Sequence, residues 1–198
     1  MFIKVILSIA IGYILGSVVA AILISKLFFK EDVREKGSGN SGATNAARVY
    51  GLRFGIVTFA FDFAKGILAC LIGLAIGGRG CEAAAGVACI IGHCFPILFG
   101  FRGGKGVSVG AAFALMADWR VFAIALAIFL IAAFLSKRVS LGSVLATLAV
   151  GVCCVIFPPE TAFKVLGPIA AAIVIFMHRG NIARLINGTE AEFTIGRK

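Results

Sequence analysis

RGGKGVSVGAAFALMA, residues 102–117, decides how this chain is threaded. Its first five residues are glycine-rich and basic; the rest, Val107 to Ala117, are apolar. A helix needs about 20 apolar residues to cross a bilayer, so this apolar run is short. If it crosses, the chain has seven spans and its termini lie on opposite faces. If it does not, the polar segments on its two sides end up on different faces. We expect it to cross by packing against neighbouring helices or by merging with the glycine-rich loop before it.

Working outward, the rest of the chain is a membrane sequence. Hydrophobic residues make up 61% of its 198 positions, and the mean hydropathy is +1.07, which excludes an ordinary soluble domain. One domain over residues 1–198 is the natural reading of that length. The net charge of +10 is better explained by basic loops at a membrane face than by nucleic acid, for which no motif is visible. Six cysteines lie mostly in apolar runs and none forms a CxxC pair, so they read as small apolar filler. Lys4 precedes an apolar stretch as in a signal peptide. That stretch continues to Ile24 without a cleavage site, and we expect a retained helix.

The other apolar runs are Ile3–Leu27, Phe54–Ile76, Ala83–Phe101, Val121–Leu135, Val139–Phe157 and Thr161–Met177. The second contains Asp62 and Lys65, three residues apart on one helix face, where they can pair. The third is interrupted by His93 and Pro96. With seven crossings, 14 of the 19 basic residues fall on one side, Arg197 and Lys198 among them. Four fall on the other and Lys65 lies within a span. The positive-inside rule then predicts an all-α integral membrane protein with its N-terminus outside and its C-terminus cytoplasmic. Glycines inside the apolar runs read as close helix contacts.

Three polar segments punctuate these runs: GSGNSGATNAAR (37–48), GHCFPILFGFRGGKG (92–106) and HRGNIARLINGTE (178–190). The predicted topology puts all three on the cytoplasmic face. Glycine exposes backbone N–H groups, Asn and Ser add neutral donors, and Arg and Lys add charge, the inventory for an oxyanion site. In the first segment, Ser38, Asn40, Thr44 and Asn45 stand among Gly39 and Gly42, with Arg48 as a guanidinium able to grip phosphate twice. In the second, Gly103, Gly104, Lys105 and Gly106 resemble half a phosphate loop without the Walker A spacing. In the third, His178, Asn181 and Arg184 share one helix face, and Glu190 follows. No metal cluster, no G-x-S-x-G elbow and no H-x-x-x-x-D acyltransferase pattern is present.

Taken together and in this order, the three segments resemble the signature of the bacterial PlsY family, over nearly the whole chain. The resemblance implies an acyl-phosphate:glycerol-3-phosphate acyltransferase of the bacterial inner membrane, serving phospholipid synthesis from the cytoplasmic side. It implies two substrates, acyl phosphate and glycerol 3-phosphate, with membrane lipids around them. It implies no cofactor, no metal, no coenzyme A and no acyl carrier protein. Ser38, Arg48, Lys105, His178 and Asn181 would hold glycerol 3-phosphate. Gly103, Gly104 and Gly106, with the backbone of the first segment, would cradle the acyl phosphate, and His93 would support them from the helix edge. The general base would be His178 or an oxygen of the substrate phosphate. The rival reading is a small-anion transporter, suited by the glycine breaks and by intramembrane Asp62 and Lys65.

Overall fold

The computed structural model describes residues 1–194, so Arg197 and Lys198, counted above as cytoplasmic charges, lie outside the described residues. The described residues form helices and connecting loops without strands. In order, the α-helices are α1 (Phe2–Ser17), α2 (Ala20–Ile24), α3 (Ala43–Tyr50), α4 (Leu52–Gly77) and α5 (Arg79–Cys94). They continue with α6 (Val107–Ala117), α7 (Trp119–Ser136), α8 (Val139–Ile156), α9 (Thr161–Met177) and α10 (Arg179–Ile186).

Lipid offers no hydrophobic squeeze between helices, so close packing must come from small residues. The α1–α5 contact shows this. A side chain at Gly12 would begin 2.3 Å from Ala85 O, and one at Gly16 would begin 2.2 Å from Cys89 O. Seen from α5, a side chain at Gly92 would begin 2.2 Å from Tyr13 O. The backbones therefore touch without intervening side chains. Small residues also seat α4 on α5 (Gly73 against Cys81) and α9 on α8 (Gly167 against Cys154). All six cysteines are free and buried, as expected of apolar filler.

The first apolar run is not one straight helix. The α-helical ladder of α1 ends at Ser17, with Val18 and Val19 extended, and resumes in α2 before a π turn over Ser25–Phe29. The break is possible because Lys65 Nζ donates to the freed carbonyls of Gly16 at 3.0 Å and Val18 at 2.7 Å. Orphan carbonyls at a helix C-terminus need such donors, and a cation suits that end of the dipole. Lys65 also pairs with Asp62 at 2.7 Å, the pairing expected from their spacing.

By length and hydropathy, five helical segments suffice to cross a membrane: Phe2–Phe29, Leu52–Gly77, Arg79–Phe99, Trp119–Ser136 and Val139–Ile156. A sixth is added if α9 and α10, bent by 62° at His178, count as one span. The seven expected full spans are therefore not found by this measure. The shortfall is the 102–117 stretch, where α6 has 11 residues and a length of about 16 Å.

The ends of α6 are nevertheless well defined. It begins at Val107, directly after Gly106, the last residue of the second polar segment. At its other end, Arg79 donates to Met116 O at 3.0 Å and Ala117 O at 3.1 Å. The same guanidinium pairs with buried Glu82 at 2.8 Å and with Glu160 at 3.1 Å. Arg79 starts α5, while the second polar segment follows its far end, so α6 runs between these two levels.

The glycine contacts give a direct test. Gly16→Leu drives a side chain into the α5 backbone and is expected to destabilise by about 1–3 kcal/mol. A lowered thermal midpoint of purified protein in detergent would register this. An unchanged midpoint would mean that the helices do not approach so closely.

Candidate functional site

The first polar segment is held as a compact loop. Asp32 accepts from the Arg34 backbone N–H at 3.0 Å and grips the Arg34 guanidinium at 2.9 and 2.7 Å. Arg34 then reaches the second segment, donating to Phe99 O at 2.8 Å and Arg102 O at 3.0 Å. Asn45 fastens the loop from within. Its Oδ1 accepts from Ser38 N–H at 2.8 Å, and its Nδ2 donates to Val33 O at 3.1 Å and Lys36 O at 3.0 Å. Asn45 was expected to bind substrate. Its side-chain N–H donors are committed to the protein backbone, where they shape the loop. Gly37, at φ +59°, leaves room for that amide, since a Cβ there would lie 2.3 Å from Asn45 Oδ1.

The second segment leaves α5 through a turn in which Phe101 N–H bonds Pro96 O at 2.8 Å, and it folds back against the helix end. Gly103 N–H donates to Cys94 O at 3.2 Å and Gly104 N–H to His93 O at 3.0 Å. These glycines were expected to cradle a phosphate with their N–H groups. The groups are spent on the turn, and neither glycine lines the cavity described below. Gly104 is required for another reason: a Cβ there would lie 2.2 Å from His93 Nε2. Gly39, also expected at the site, is likewise absent from the cavity wall; it sits at φ +72° and donates to Lys36 O at 3.0 Å.

The third segment follows the 62° bend between α9 and α10. His178 stands at the bend, with Nδ1 2.7 Å from Val174 O. A carbonyl only accepts, so Nδ1 carries the hydrogen and Nε2 of the neutral ring is left as an acceptor. Asn181 accepts from Lys105 Nζ through Oδ1 and donates to Glu190 Oε1 at 2.6 Å. Glu190 Oε2 accepts from Arg184 Nε at 2.7 Å. The relay Lys105–Asn181–Glu190–Arg184 joins the second and third segments. Residues after α10 are tied to the loop between α7 and α8, where Arg138 donates to Glu190 O at 3.0 Å and Phe193 N–H donates to Lys137 O at 2.8 Å.

All three segments line one cavity of about 450 Å³. Its wall includes Ser38, Asn40, Gly42, Thr44, Asn45 and Arg48 from the first segment, and His93, Lys105 and Gly106 from the second. The third contributes His178, Asn181, Arg184 and Glu190. The first residues of α3, the first residues of α6 and His178 at the start of α10 also reach the wall, so three helix N-termini converge there. The positive dipole end at each favours an anion.

Three cations face one carboxylate in this cavity, and Arg48 has no hydrogen-bond or ion-pair partner among the described residues. Burial pushes the Lys105 ammonium down to about 8; Glu190 opposes this, while Arg184 and Arg48 add to it. Burial works against ionisation of Glu190, but hydrogen bonds, those from Asn181 and Arg184 among them, outweigh it and hold its carboxyl below the usual range. Sequence reasoning missed Arg34 as an organiser of the site and read Lys65 only as half of an ion pair.

A second cavity of about 150 Å³ adjoins the first and shares Phe59, Gly106, Val107, Phe129 and Ser143 with it. The remainder of its wall is mostly apolar, including Phe113, Phe122, Leu126 and Val150. A cationic pocket adjoining an apolar one, within membrane helices, offers the two surfaces that an anionic headgroup joined to a hydrocarbon chain would need.

Known proteins agree with that class. The sequence pattern described as glycerol-3-phosphate acyltransferase matches residues 6–188. A glycerol-3-phosphate acyltransferase of Finegoldia magna is 40% identical over 181 residues, covering 91% of each chain. One from Listeria monocytogenes is 39% identical over 193 residues, covering 96% of this chain and 97% of that one. A crystal structure of PlsY (YgiH), an integral membrane glycerol 3-phosphate acyltransferase, in its glycerol 3-phosphate form matches at a TM-score of 0.90. It shares 31% identity, with 96% of each chain covered. The lysophosphatidic acid form of the same enzyme matches at 0.87 with 30% identity, covering 96% of this chain and 95% of that one. The chain belongs to the glycerol-3-phosphate acyltransferase family of integral membrane enzymes.

The position of Lys105 leads to a pH test that needs no turnover. Below about pH 8 its ammonium is present in the cavity, and above that pH it is lost. Inorganic phosphate, titrated by calorimetry, is therefore expected to bind progressively more weakly as pH rises through 8. Lys105→Arg, whose guanidinium keeps its proton, should flatten that alkaline decline.

Proposed function

We propose that the protein transfers a fatty acyl group from acyl phosphate to the 1-hydroxyl of sn-glycerol 3-phosphate. The products are lysophosphatidic acid and inorganic phosphate. The observation that carries this reading is the junction of the two cavities, with cations on one side and hydrocarbon on the other. The relatives' names and the two ligand forms of the solved enzyme support the acceptor and the product.

Arg48 and Lys105 neutralise phosphate charge, and Ser38, His178 and Asn181 orient the glycerol 3-phosphate around it. The helix N-termini and the Gly106 end of the second segment face the acyl phosphate, whose chain extends along the apolar cavity. The acceptor hydroxyl attacks the acyl carbon, a carbon–oxygen bond forms, and the bond from that carbon to the phosphate oxygen breaks. The electron pair leaves with phosphate, and the hydroxyl proton passes to a phosphate oxygen. Donors at the cavity wall stabilise the transient oxyanion. Placing two reactants together in the right geometry supplies about 7–11 kcal/mol in favourable cases, and acyl phosphate already carries a good leaving group.

The chain's topology follows from the same reading. We place seven crossings in an inner membrane, with the N-terminus outside and the cavity cytoplasmic. The 102–117 stretch would complete its crossing as a loop plus the short α6. The many basic residues near the cavity end support this orientation.

Purified protein in lipid mesophase, supplied with palmitoyl phosphate and glycerol 3-phosphate, is expected to release phosphate and form lysophosphatidic acid in equal amounts. Arg48→Ala or Lys105→Ala should abolish both in folded protein. No product from folded protein and intact substrates would overturn the proposal and make anion transport in sealed vesicles the next assay. His178→Gln is expected to raise KM while kcat falls by less than the roughly 10²–10⁴-fold typical of a lost general base. A kcat loss of that full size would assign the proton to His178.

A further inference from the structure

Asp62, Lys65 and His93 form a buried charged cluster beneath the glycine loop, and no step above gives Lys65 or Asp62 a task. The three are 1%, 6% and 2% exposed. Ionisable groups at such depth in a membrane protein are costly to keep and call for a function. Besides the two α1 carbonyls and Asp62, Lys65 Nζ lies 3.1 Å from His93 Nδ1.

An ammonium group offers only donors. His93 Nδ1 therefore accepts from it, and a neutral imidazole that accepts at Nδ1 carries its hydrogen on Nε2. The opposite tautomer would set an Nδ1–H against the ammonium at 3.1 Å. Asp62 Oδ1, at 3.6 Å from Nδ1, is too distant to take that hydrogen. The Nε2 atom has no protein partner among the described residues, and it abuts Gly104 where a side chain would stand. His93 also forms part of the cavity wall. The ring thus stands at the cavity wall with its Nε2 edge against a residue that has no side chain.

We propose that Lys65, itself anchored by Asp62, is a positioning residue that fixes His93 in its Nε2–H tautomer, so that His93 donates to an anionic oxygen of the bound reactants. The identity of that oxygen rests on the acyltransferase reading, while the tautomer does not. The oxygen belongs either to a bound phosphate or to the oxyanion formed at the acyl carbon. His178 is fixed the other way, with its hydrogen on Nδ1. The two histidines of the chain would then serve opposite purposes, one giving a hydrogen bond and the other receiving one.

The test begins with the unaltered protein. In a ¹H–¹⁵N long-range correlation spectrum of histidine-labelled protein in detergent, the two rings should be neutral and of opposite tautomer. The Nε2–H ring should vanish in His93→Gln. A His93 ring that is Nδ1–H or doubly protonated overturns the proposal, whether or not any variant folds and whether or not the protein turns over acyl phosphate. Kinetics supply the second arm. His93→Gln, whose amide N–H reaches the Nε2 position, should retain more kcat/KM than His93→Asn, whose amide does not. Lys65→Met should lower kcat/KM by about 10- to 100-fold in the wild-type background but have little effect in the His93→Gln background. A rise in KM places the accepting oxygen on a bound phosphate, and a fall in kcat places it on the oxyanion. Equal losses in both backgrounds would make Lys65 a support for the α1 break alone and sink its positioning role.

Discussion

The backbone contact between α1 and α5 is the constraint from which the site follows. Gly12 and Gly16 let the carbonyls of Ala85 and Cys89 come within reach of the α1 backbone, and no side chain could be interposed. With α5 held at that distance, its last turn delivers His93 beside the point where α1 breaks. Lys65 then finds the α1 carbonyls and the His93 ring in one place. The second polar segment hangs from that same turn through the hydrogen bonds of Gly103 and Gly104 to Cys94 and His93. Helix packing by the smallest residue therefore fixes where a loop some ten residues further on can lie.

Electrostatics of the cavity follow a division of labour among its cations. Arg34 is saturated by Asp32 and two carbonyls and serves to join loops. Arg184 is engaged by Glu190. Lys105 leans on Asn181, which is itself oriented by that carboxylate. Arg48 alone among these has no protein partner among the described residues. Glu190 thus lowers the net charge of the pocket while setting the direction of the groups around it.

Much of this was legible in the chain. Hydropathy located the long helices, the Asp62–Lys65 spacing foretold their ion pair, and the three polar segments were recognisable as one set, which lines one cavity. The short run over 107–117 was visible as the problem, but its solution was not. Whether 11 residues bridge two levels depends on where the preceding loop starts, which depends on contacts between distant helices. The N–H groups of Gly103 and Gly104 were read as free for a ligand, and the turn takes both. Composition shows that backbone N–H groups are exposed by glycine, yet it does not show which of them the turn itself consumes. Gly104 is small because His93 lies against it, a relation between residues 11 positions apart that no local spacing announces. Asn45 likewise looked like a ligand donor because its three backbone partners come from a loop that only folding brings to it.

The apolar cavity, finally, is small. At about 150 Å³ it matches the volume of an engineered protein cavity that holds a single benzene. Phe59 and Leu126, which line it, are also open to the outer surface of the helix bundle. On the proposed reading, the protein grips only the few methylenes nearest the reacting carbon, and the rest of the chain lies among the lipid tails. Such an enzyme has no ruler. The lengths of the chains it installs would mirror whatever mixture the surrounding bilayer presents, and membrane fluidity would be set upstream of it.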